Sequence, residues 1–201
     1  MENSGLLIVI SGPSGAGKGT ICKALLKKDP SIHVSVSATT RPPRVGEVDG
    51  ENYYFLTMEE FKERLEKDQF LEYAKVYDNY YGTPKENVME QLRQGKDVLL
   101  EIDTEGALKV KEKFPQGVFI FILPPEIEDL KSRIIGRGTE TEENMEKRLN
   151  SAKEEIQRIH EYNYGVINDD VDRATGDIQS ILLAEKLKTE RNYQEWTEKY
   201  I

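Results

Sequence analysis

The 201-residue sequence contains one cysteine and two histidines, and it carries fewer basic than acidic side chains. A single cysteine excludes an intrachain disulfide framework and fits a reducing compartment. His33 and His160 belong to no cluster of other ligand types, so we expect no bound transition metal. The net charge of −9 argues against general nucleic-acid binding, which requires a basic surface. It is compatible with a small anionic substrate held in a locally basic cleft.

Long hydrophobic runs are also missing. The longest, residues 6–10 and 118–123, are far shorter than the roughly 20 residues that a membrane-spanning helix needs. The first residues, MENSG, lack the basic-then-apolar pattern of a signal peptide. We therefore expect a cytoplasmic protein that contacts no membrane. The length allows one good hydrophobic core and a small inserted module.

The stretch LLIVISGPSGAGKGT, residues 6–20, is the strongest motif present. Its apolar residues end in a loop whose glycines let the backbone approach an anion closely, and a helical pattern follows. Backbone N–H groups and the positive end of that helix favour a phosphate, and Lys18 adds a point charge for its outer oxygens. The order strand, loop, helix predicts a phosphate-binding loop. Its residues are Gly12, Pro13, Ser14, Gly15, Ala16, Gly17, Lys18, Gly19 and Thr20.

This loop departs from the Walker A pattern at one position. Gly12, Gly17 and Lys18 match the pattern, but Gly19 stands where a serine or threonine is expected, and Thr20 carries the nearest hydroxyl. The alternative interpretation is a glycine-rich turn that binds nothing. The motif alone does not say which phosphate chemistry the loop serves.

Strand and helix patterns alternate along the chain, which predicts an α/β fold with a parallel sheet covered on both faces. Thr83, Pro84 and Glu86 predict a capped helix start. Ligands in such folds bind at the carboxyl ends of the strands, where the loop at residue 12 and the acids Glu101 and Asp103 would meet. Strands are predicted at 6–10, 97–102, 118–123 and 164–167, with a further short strand at 35–37. Helices are predicted at 20–28, 58–67, 84–94, 105–113, 125–135, 142–160 and from about 174 to 187.

Residues 50–83 differ in composition from the rest of the chain, because six of the ten tyrosines fall there, and two arginines precede them. Arg41 and Arg44 flank two prolines that restrict the backbone, so both arginines project from a restricted segment. The segment is interpreted either as an anion-binding site or as a solvated basic turn. The tyrosines lie in short alternating runs that predict a small, largely antiparallel sheet. They are either good strand formers or rings that stack on a purine and donate hydroxyls to phosphate.

A second set of arginines surrounds the glycines at 136 and 138. Arg133 and Arg137 would lie one helical turn apart, and Arg148 could face them from the next helix. One interpretation is a lid that closes these arginines on phosphates; the other is an exposed hinge with ordinary helix arginines.

These features together predict phosphoryl transfer between two anionic substrates, which needs positioning and charge neutralisation more than covalent chemistry. Lys18, the lid arginines and Mg²⁺ would neutralise the transferring group, and Arg41 and Arg44 would hold the acceptor phosphate. Guanine presents two hydrogen-bond donors on one edge, the N1–H and an amine, and a carboxylate such as that of Glu72 would accept both hydrogen bonds. Its O6 and N7 would suit the hydroxyls of Ser37 and Thr83.

The motifs SGPSGAGKGT, SVSATTRPPR, GEVDGENYYF, FLEYAKV, NYYGTP, EIDTEG and GRGTETEE occur in this order. In order and spacing the chain resembles the guanylate kinases from about residue 6 to 188. The resemblance implies a P-loop three-layer α/β/α fold with a five-stranded parallel core sheet, an inserted GMP-binding module and a helical lid. It also implies the reaction ATP + GMP ⇌ ADP + GDP with Mg²⁺. The implied segments are a core at 5–34, 84–135 and 160–201, a GMP-binding module at 35–83 and a lid at about 136–159.

The resemblance also assigns residues. Glu101 would help to organise hydrated magnesium, and Asn168 would lie near the adenine of ATP, which the phosphate loop binds. Lys18 and the lid arginines Arg133, Arg137 and Arg148 would be catalytic, together with Arg41. The GMP-binding residues implied are Ser37, Arg41, Arg44, Tyr53, Glu72, Tyr81, Thr83 and Asp103.

Two alternatives remain open. Guanylate-kinase-like interaction modules of scaffold proteins share the GMP-binding part but have typically lost phosphate-loop residues, whereas Lys18 is present here. A kinase for another small acceptor would share the phosphate loop. Gly19 is similar to other nucleoside monophosphate kinases and weakens the case for a GTPase or motor-type ATPase. The sequence leaves open whether the protein is a monomer or a homo-oligomer.

Overall fold

A parallel sheet of five strands forms the centre of the chain in its computed structural model, which describes residues 5–76, 78–130 and 142–201. The sheet order is β2-β7-β1-β8-β9, and every neighbouring pair is parallel. This confirms the predicted α/β class and the five-stranded core sheet. The strands are β1 Leu7–Ser11, β2 His33–Val34, β7 Val98–Glu101, β8 Val118–Leu123 and β9 Tyr164–Ile167.

Helices cover both faces of this sheet, because β1 and β8 are apolar on both sides. Ile8 and Ile10 of β1 pack with α1 and α6 on one face. Leu7 and Val9 pack with α3 and α4 on the other face. The helices are α1 Lys18–Lys28, α2 Met58–Glu66, α3 Lys85–Arg93, α4 Thr104–Lys113, α5 Glu142–Gln157, α6 Val171–Lys186 and α7 Thr189–Tyr200, with a 3₁₀ turn at Arg158–Glu161.

A second, smaller sheet has the order β4-β3-β6-β5. Its pairs are antiparallel except for β3 with β4, so the sheet is mixed. Phe61 of α2 stacks on Phe70 with ring centroids 4.4 Å apart, and this small core holds the helix against the sheet. The strands are β3 Ala38–Thr39, β4 Tyr54–Phe55, β5 Phe70–Val76 and β6 Asn79–Pro84.

Two local predictions are wrong. Residues 35–37 form no strand, because the chain pairs with β7 up to Val34 and with β6 from Ala38, and these three residues cross from one sheet to the other. Thr83 is the penultimate residue of β6 and does not cap α3, whose N-cap is Pro84. Its hydroxyl donates instead to the carboxylate of Glu72 on the neighbouring strand β5, a charge-assisted hydrogen bond.

Helix α7 was not predicted, since the last predicted helix ends near residue 187. Arg191 of α7 donates to the Gln116 carbonyl and pairs with Glu185, which is buried on α6. Within the described ranges, no helix is both long and apolar enough to cross a membrane. The predicted helix that follows residue 125 is seen at 127–130, and its remainder lies outside the described residues.

Candidate active site

The phosphate loop lies at the carboxyl end of β1, between that strand and α1. Gly12, Gly15 and Gly17 have φ values of 139°, 91° and 92°, in the region that favours glycine. Gly17 is the N-cap of α1, which explains why the helix begins at Lys18, two residues earlier than predicted. The backbone therefore turns around a concave loop at the helix N-terminus, the geometry that binds phosphate.

Lys18 folds back over this loop. Its Nζ donates to the carbonyl of Gly12 at 2.6 Å and to that of Pro13 at 3.2 Å. Burial lowers the pKa of Lys18, and the carboxylates of Glu155, Glu101 and Asp103 oppose that shift. An ammonium group has three donors, and two of them are satisfied by these bonds. The third has no hydrogen-bond partner within the described ranges and can donate to a phosphate oxygen in the loop.

Two side chains from distant parts of the chain hold the loop. The buried amide of Asn168, which follows β9, donates to the Ala16 carbonyl at 2.7 Å. Arg148 of α5 donates to the Ser14 hydroxyl at 2.7 Å. The structure thus brings Asn168, predicted to lie near ATP, and Arg148, predicted as a lid arginine, into contact with the loop. Asn168 acts on the loop backbone here, a role that the sequence did not indicate.

Glu155 of α5 is a charged neighbour of Lys18 that sequence reasoning missed. Its carboxylate accepts from the Thr104 hydroxyl at 3.3 Å, and burial raises the pKa of Glu155. Glu155 borders the apolar stripe of α5, beside Ala152 and Ile156. A carboxylate next to a packing stripe is the signal that could have identified it.

Glu101 ends β7 next to the start of α1. A Cβ on Gly19 would lie 3.3 Å from the Glu101 carboxylate, so any larger residue at position 19 would crowd that group. The glycine that breaks the Walker A pattern therefore leaves space in front of Glu101. Among the described residues there is no group of three or more metal-ligating side chains.

A cavity of about 210 Å³ lies beside the phosphate loop, between the small sheet and the carboxyl end of the core sheet. It combines residues from both sheets, so neither sheet forms it alone. Five predicted GMP-site residues line it together with Glu101, namely Ser37, Tyr53, Glu72, Tyr81 and Asp103.

Glu72 is a buried acidic residue in the wall of this cavity, and 7% of the residue's surface is exposed. Its Oε1 accepts from the Thr83 hydroxyl at 2.6 Å. A Cβ on Gly106 would lie 2.9 Å from the Glu72 Oε2, so the backbone of α4 closes the other side. Burial raises the pKa of Glu72 to about 6. Asp103 accepts from the Gly106 N–H at 2.7 Å and is therefore the N-cap of α4.

Arg41 lies next to the cavity across the ring of Tyr53, whose centroid is 5.5 Å from the guanidinium. Its two terminal nitrogens donate to the Glu47 carboxylate at 2.9 and 3.0 Å. The side chain of Arg44 is exposed, and its backbone N–H donates to Glu47 at 2.7 Å. Glu47 was not predicted. Arg133 and Arg137, the other two predicted lid arginines, lie outside the described residues.

A larger cavity of about 940 Å³ lies at the opposite, amino-terminal edge of the core sheet, among residues such as Lys96, Gln116 and Arg191. None of the predicted site residues lines it. Ligands of parallel α/β sheets bind at the carboxyl ends of the strands, so the smaller cavity beside the phosphate loop is the candidate site.

Comparison with known proteins agrees with this geometry. Residues 4–185 match the family model described as guanylate kinase. The chain belongs to the guanylate kinase family. The guanylate kinase of Caldanaerobacter subterraneus subsp. tengcongensis is 64% identical over 192 residues, which cover 96% of this chain and 93% of that protein. The guanylate kinase of Clostridium perfringens is 64% identical over 190 residues, covering 94% and 88%.

A solved structure gives the same assignment. The crystal structure of guanylate kinase from Anaplasma phagocytophilum is 34% identical and superposes with a TM-score of 0.78, covering 100% of this chain and 97% of that one. As a guanylate kinase family member with an intact phosphate loop, the chain is an enzyme of the kinase class. The resemblance found in the sequence is confirmed.

Proposed function

We propose that the chain transfers the γ-phosphoryl group of ATP to GMP and produces ADP and GDP. The observation that carries this proposal is Glu72, a buried carboxylate that faces a cavity beside the phosphate loop. Guanine presents two N–H donors on one edge, and a carboxylate satisfies both. Adenine presents no such pair, so a buried carboxylate favours GMP over AMP as the acceptor.

The donor nucleotide binds at the phosphate loop. The loop N–H groups and the α1 N-terminus attract the phosphates. Lys18 adds a positive charge, and its hydrogen bonds to the carbonyls of Gly12 and Pro13 hold its ammonium group in position. Arg148 already contacts the loop through Ser14 and is close enough to join the phosphates. Asn168 supports the loop, and we place it on the adenine side of ATP.

The acceptor binds in the smaller cavity. Glu72 accepts from the guanine N–H donors, and Thr83 holds the Glu72 carboxylate in place. Ser37 and Asp103 complete the base site. The acceptor phosphate lies toward Tyr53 and Tyr81, with Arg41 and Arg44 as its cations.

A magnesium ion fits this site. Mg²⁺ in kinases is commonly held by substrate phosphates, water and one or two carboxylates rather than by a full protein cage. Glu101, with space in front of it at Gly19, would hold it through water. When bound, the ion neutralises charge on the nucleotide phosphates.

The chain contributes positioning and electrostatics to the transfer itself. Lys18 and Arg148 bring positive charge to the transferring group. We assign the same role to Arg133 and Arg137, which lie outside the described residues. The acceptor oxygen belongs to a phosphate that is already ionised, so the step needs no general base. Because the phosphate loop with Lys18 is intact, we favour catalysis over the alternative of a non-catalytic interaction module.

The proposal also covers how the chain is divided into modules, which partners it binds and where in the cell it acts. Residues 35–83 form the GMP-binding module, residues from about 136 to 159 form the lid, and the remainder is the core. ATP and GMP are the small-molecule partners, with no nucleic acid or membrane involved. We place the protein in the cytoplasm, as a monomer or a homo-oligomer.

Lys18→Met tests this assignment. We expect ADP formation from ATP and GMP to fall at least about a hundredfold, since a phosphate clamp is lost. Lys23→Met is the matched control, because Lys23 is exposed on the same helix and should leave the rate near that of the wild type. Equal rates for Lys18→Met and the wild type would contradict the proposed role of the loop.

A further inference from the structure

The Glu47 carboxylate forms an ion pair with the outer end of the Arg41 guanidinium. The terminal nitrogens Nη1 and Nη2 each donate to a different oxygen of its carboxylate, and Nη1 also donates to the Pro42 carbonyl at 2.8 Å. The two side chains keep 13% and 19% of their surface exposed, so this pair is well shielded from water. Pairing raises the pKa of Arg41 and lowers that of Glu47. Both groups therefore remain ionised.

The backbone places Glu47 for this contact. The Glu47 N–H donates to the Arg44 carbonyl at 3.0 Å, and Gly46 within the turn has a φ of 89°. The chain therefore reverses, and the Glu47 carboxylate accepts from the Arg44 N–H at 2.7 Å as well. Arg41 is fixed from the other side, since its N–H donates to the Thr39 hydroxyl at 3.1 Å. The Glu47 carboxylate therefore binds the side chain of Arg41 and the backbone of Arg44, and so holds together the segment that carries both arginines.

An arginine has two forks of N–H donors, and the Glu47 carboxylate takes one of them. Glu47 takes the end fork, formed by Nη1 and Nη2. The lateral fork, formed by Nε and the outer hydrogen of Nη2, has no carboxylate or carbonyl partner in the described ranges of the chain. A phosphate can take a lateral fork with two parallel hydrogen bonds. Tyr81, which lines the cavity, also interacts with this guanidinium. The rings of Tyr53 and Phe55 lie against it as well.

We propose that Glu47 is a positioning residue for GMP: it holds Arg41 by the end fork and leaves the lateral fork directed to the acceptor phosphate. This inference rests on the proposed function. Glu47 does not touch the substrate itself. A carboxylate near a phosphate site would otherwise oppose an anion, so the sign of its effect separates the two possibilities. A positioning residue improves GMP binding, and a competing anion weakens it.

Glu47→Gln tests the proposal, because glutamine keeps the shape of the side chain and removes the paired charge. We expect the KM for GMP to rise about tenfold, the factor that corresponds to one lost hydrogen bond to a charged group. The KM for ATP should not change, which also shows that the variant is folded. Glu51→Gln is the matched control, since Glu51 is exposed in the same segment and should behave as the wild type.

A double-mutant cycle with Arg41→Lys identifies the path of the effect. A lysine has no fork to orient, so Glu47→Gln should change the KM for GMP much less in that background. An equal effect in both backgrounds would overturn the role assigned to Arg41. A KM for GMP that is unchanged or lower in Glu47→Gln would overturn the positioning role while the wild type still phosphorylates GMP. A wild type that fails to use GMP would instead overturn the proposed function.

Discussion

At the scale of single residues, Glu72 connects recognition with stability. Its carboxylate is buried between Thr83 and the backbone of α4, and burial raises its pKa from the ordinary 4.5 to about 6. The folded state therefore binds this proton more tightly than the unfolded state does. The resulting stabilisation is fully present below pH 4.5 and is lost as the pH rises through about 6. The ionised form that would bind guanine is thus the less stable form of the fold.

Glu72→Gln should separate these two effects. Glutamine carries no charge and still accepts from Thr83, so at pH 8 the free energy of unfolding should increase by up to about 2 kcal/mol, the value of a shift of roughly 1.5 pKa units. At pH 4 the wild-type group is protonated, so the difference should vanish. Urea unfolding at both pH values measures it. A difference of the same size at pH 4 would contradict the account.

The same variant should lose acceptor binding. The glutamine amide faces the guanine N–H donors with fewer acceptors than a carboxylate, so the KM for GMP should rise about tenfold or more while the KM for ATP stays constant. Glu66→Gln, at the exposed end of α2, is the control that should change neither value. Unaltered GMP use by Glu72→Gln would remove Glu72 from the base site.

At the scale of elements, the phosphate loop depends on how closely the core strands approach it. A Cβ on Gly12 would lie 2.3 Å from the Ile122 carbonyl of β8, and Gly12 has a φ of 139°. Both the backbone conformation and the neighbouring strand therefore require glycine at this position. The loop is shaped by β8 as well as by its own glycines.

Gly12→Ala should reduce the free energy of unfolding by about 3 kcal/mol, from backbone strain and the contact with β8, and should raise the KM for ATP. Gly176→Ala is the matched control. A Cβ there meets nothing within 4 Å in α6, so it should stabilise the helix by about 0.5–1 kcal/mol. Thermal unfolding of both variants measures the contrast. A loss of stability in both would contradict the local explanation.

The elements also show what the sequence could predict. The bounds of β8 follow directly from its apolar run between turn residues, because a buried parallel strand is recognisable from its own sequence. The bounds of β9 were also predicted correctly, although only Val166 of that strand is buried. Thr83 was misplaced because its local pattern matches a helix cap, whereas its actual partner, Glu72, lies on the neighbouring strand. Glu155 was missed for the same reason, since only the fold brings it near Lys18. Glu47 lies six residues from Arg41, and its role depends on the turn at Gly46 that brings the two side chains together.

At the scale of the whole molecule, the candidate site joins two sheets. Glu72 and Tyr81 come from the small sheet, and Glu101 and Asp103 from the core sheet. Lys18 and Arg148 lie at the phosphate loop and Arg41 lies against Tyr53 of the cavity, so positive groups flank the site in a chain whose net charge is −9. A ligand in the smaller cavity would therefore contact both parts and restrict their relative motion.

Hydrogen exchange should detect this connection. GMP should slow exchange of backbone amides in residues 35–83 more than in β1 and β8, because the core strands are already buried on both faces. ATP alone should slow exchange mainly in the phosphate loop, residues 12–17. Equal protection of all segments by GMP, or none, would count against a GMP-binding module that is distinct from the core.

The central claim is that Glu72 and its cavity select GMP as the phosphoryl acceptor. The most direct measurement is ADP release from ATP by the wild-type protein with GMP, dGMP and AMP as acceptors, each titrated to obtain kcat/KM. We expect the highest kcat/KM for GMP, and we expect Glu72→Gln to lose this preference over AMP. AMP as the preferred acceptor of the wild type would contradict it.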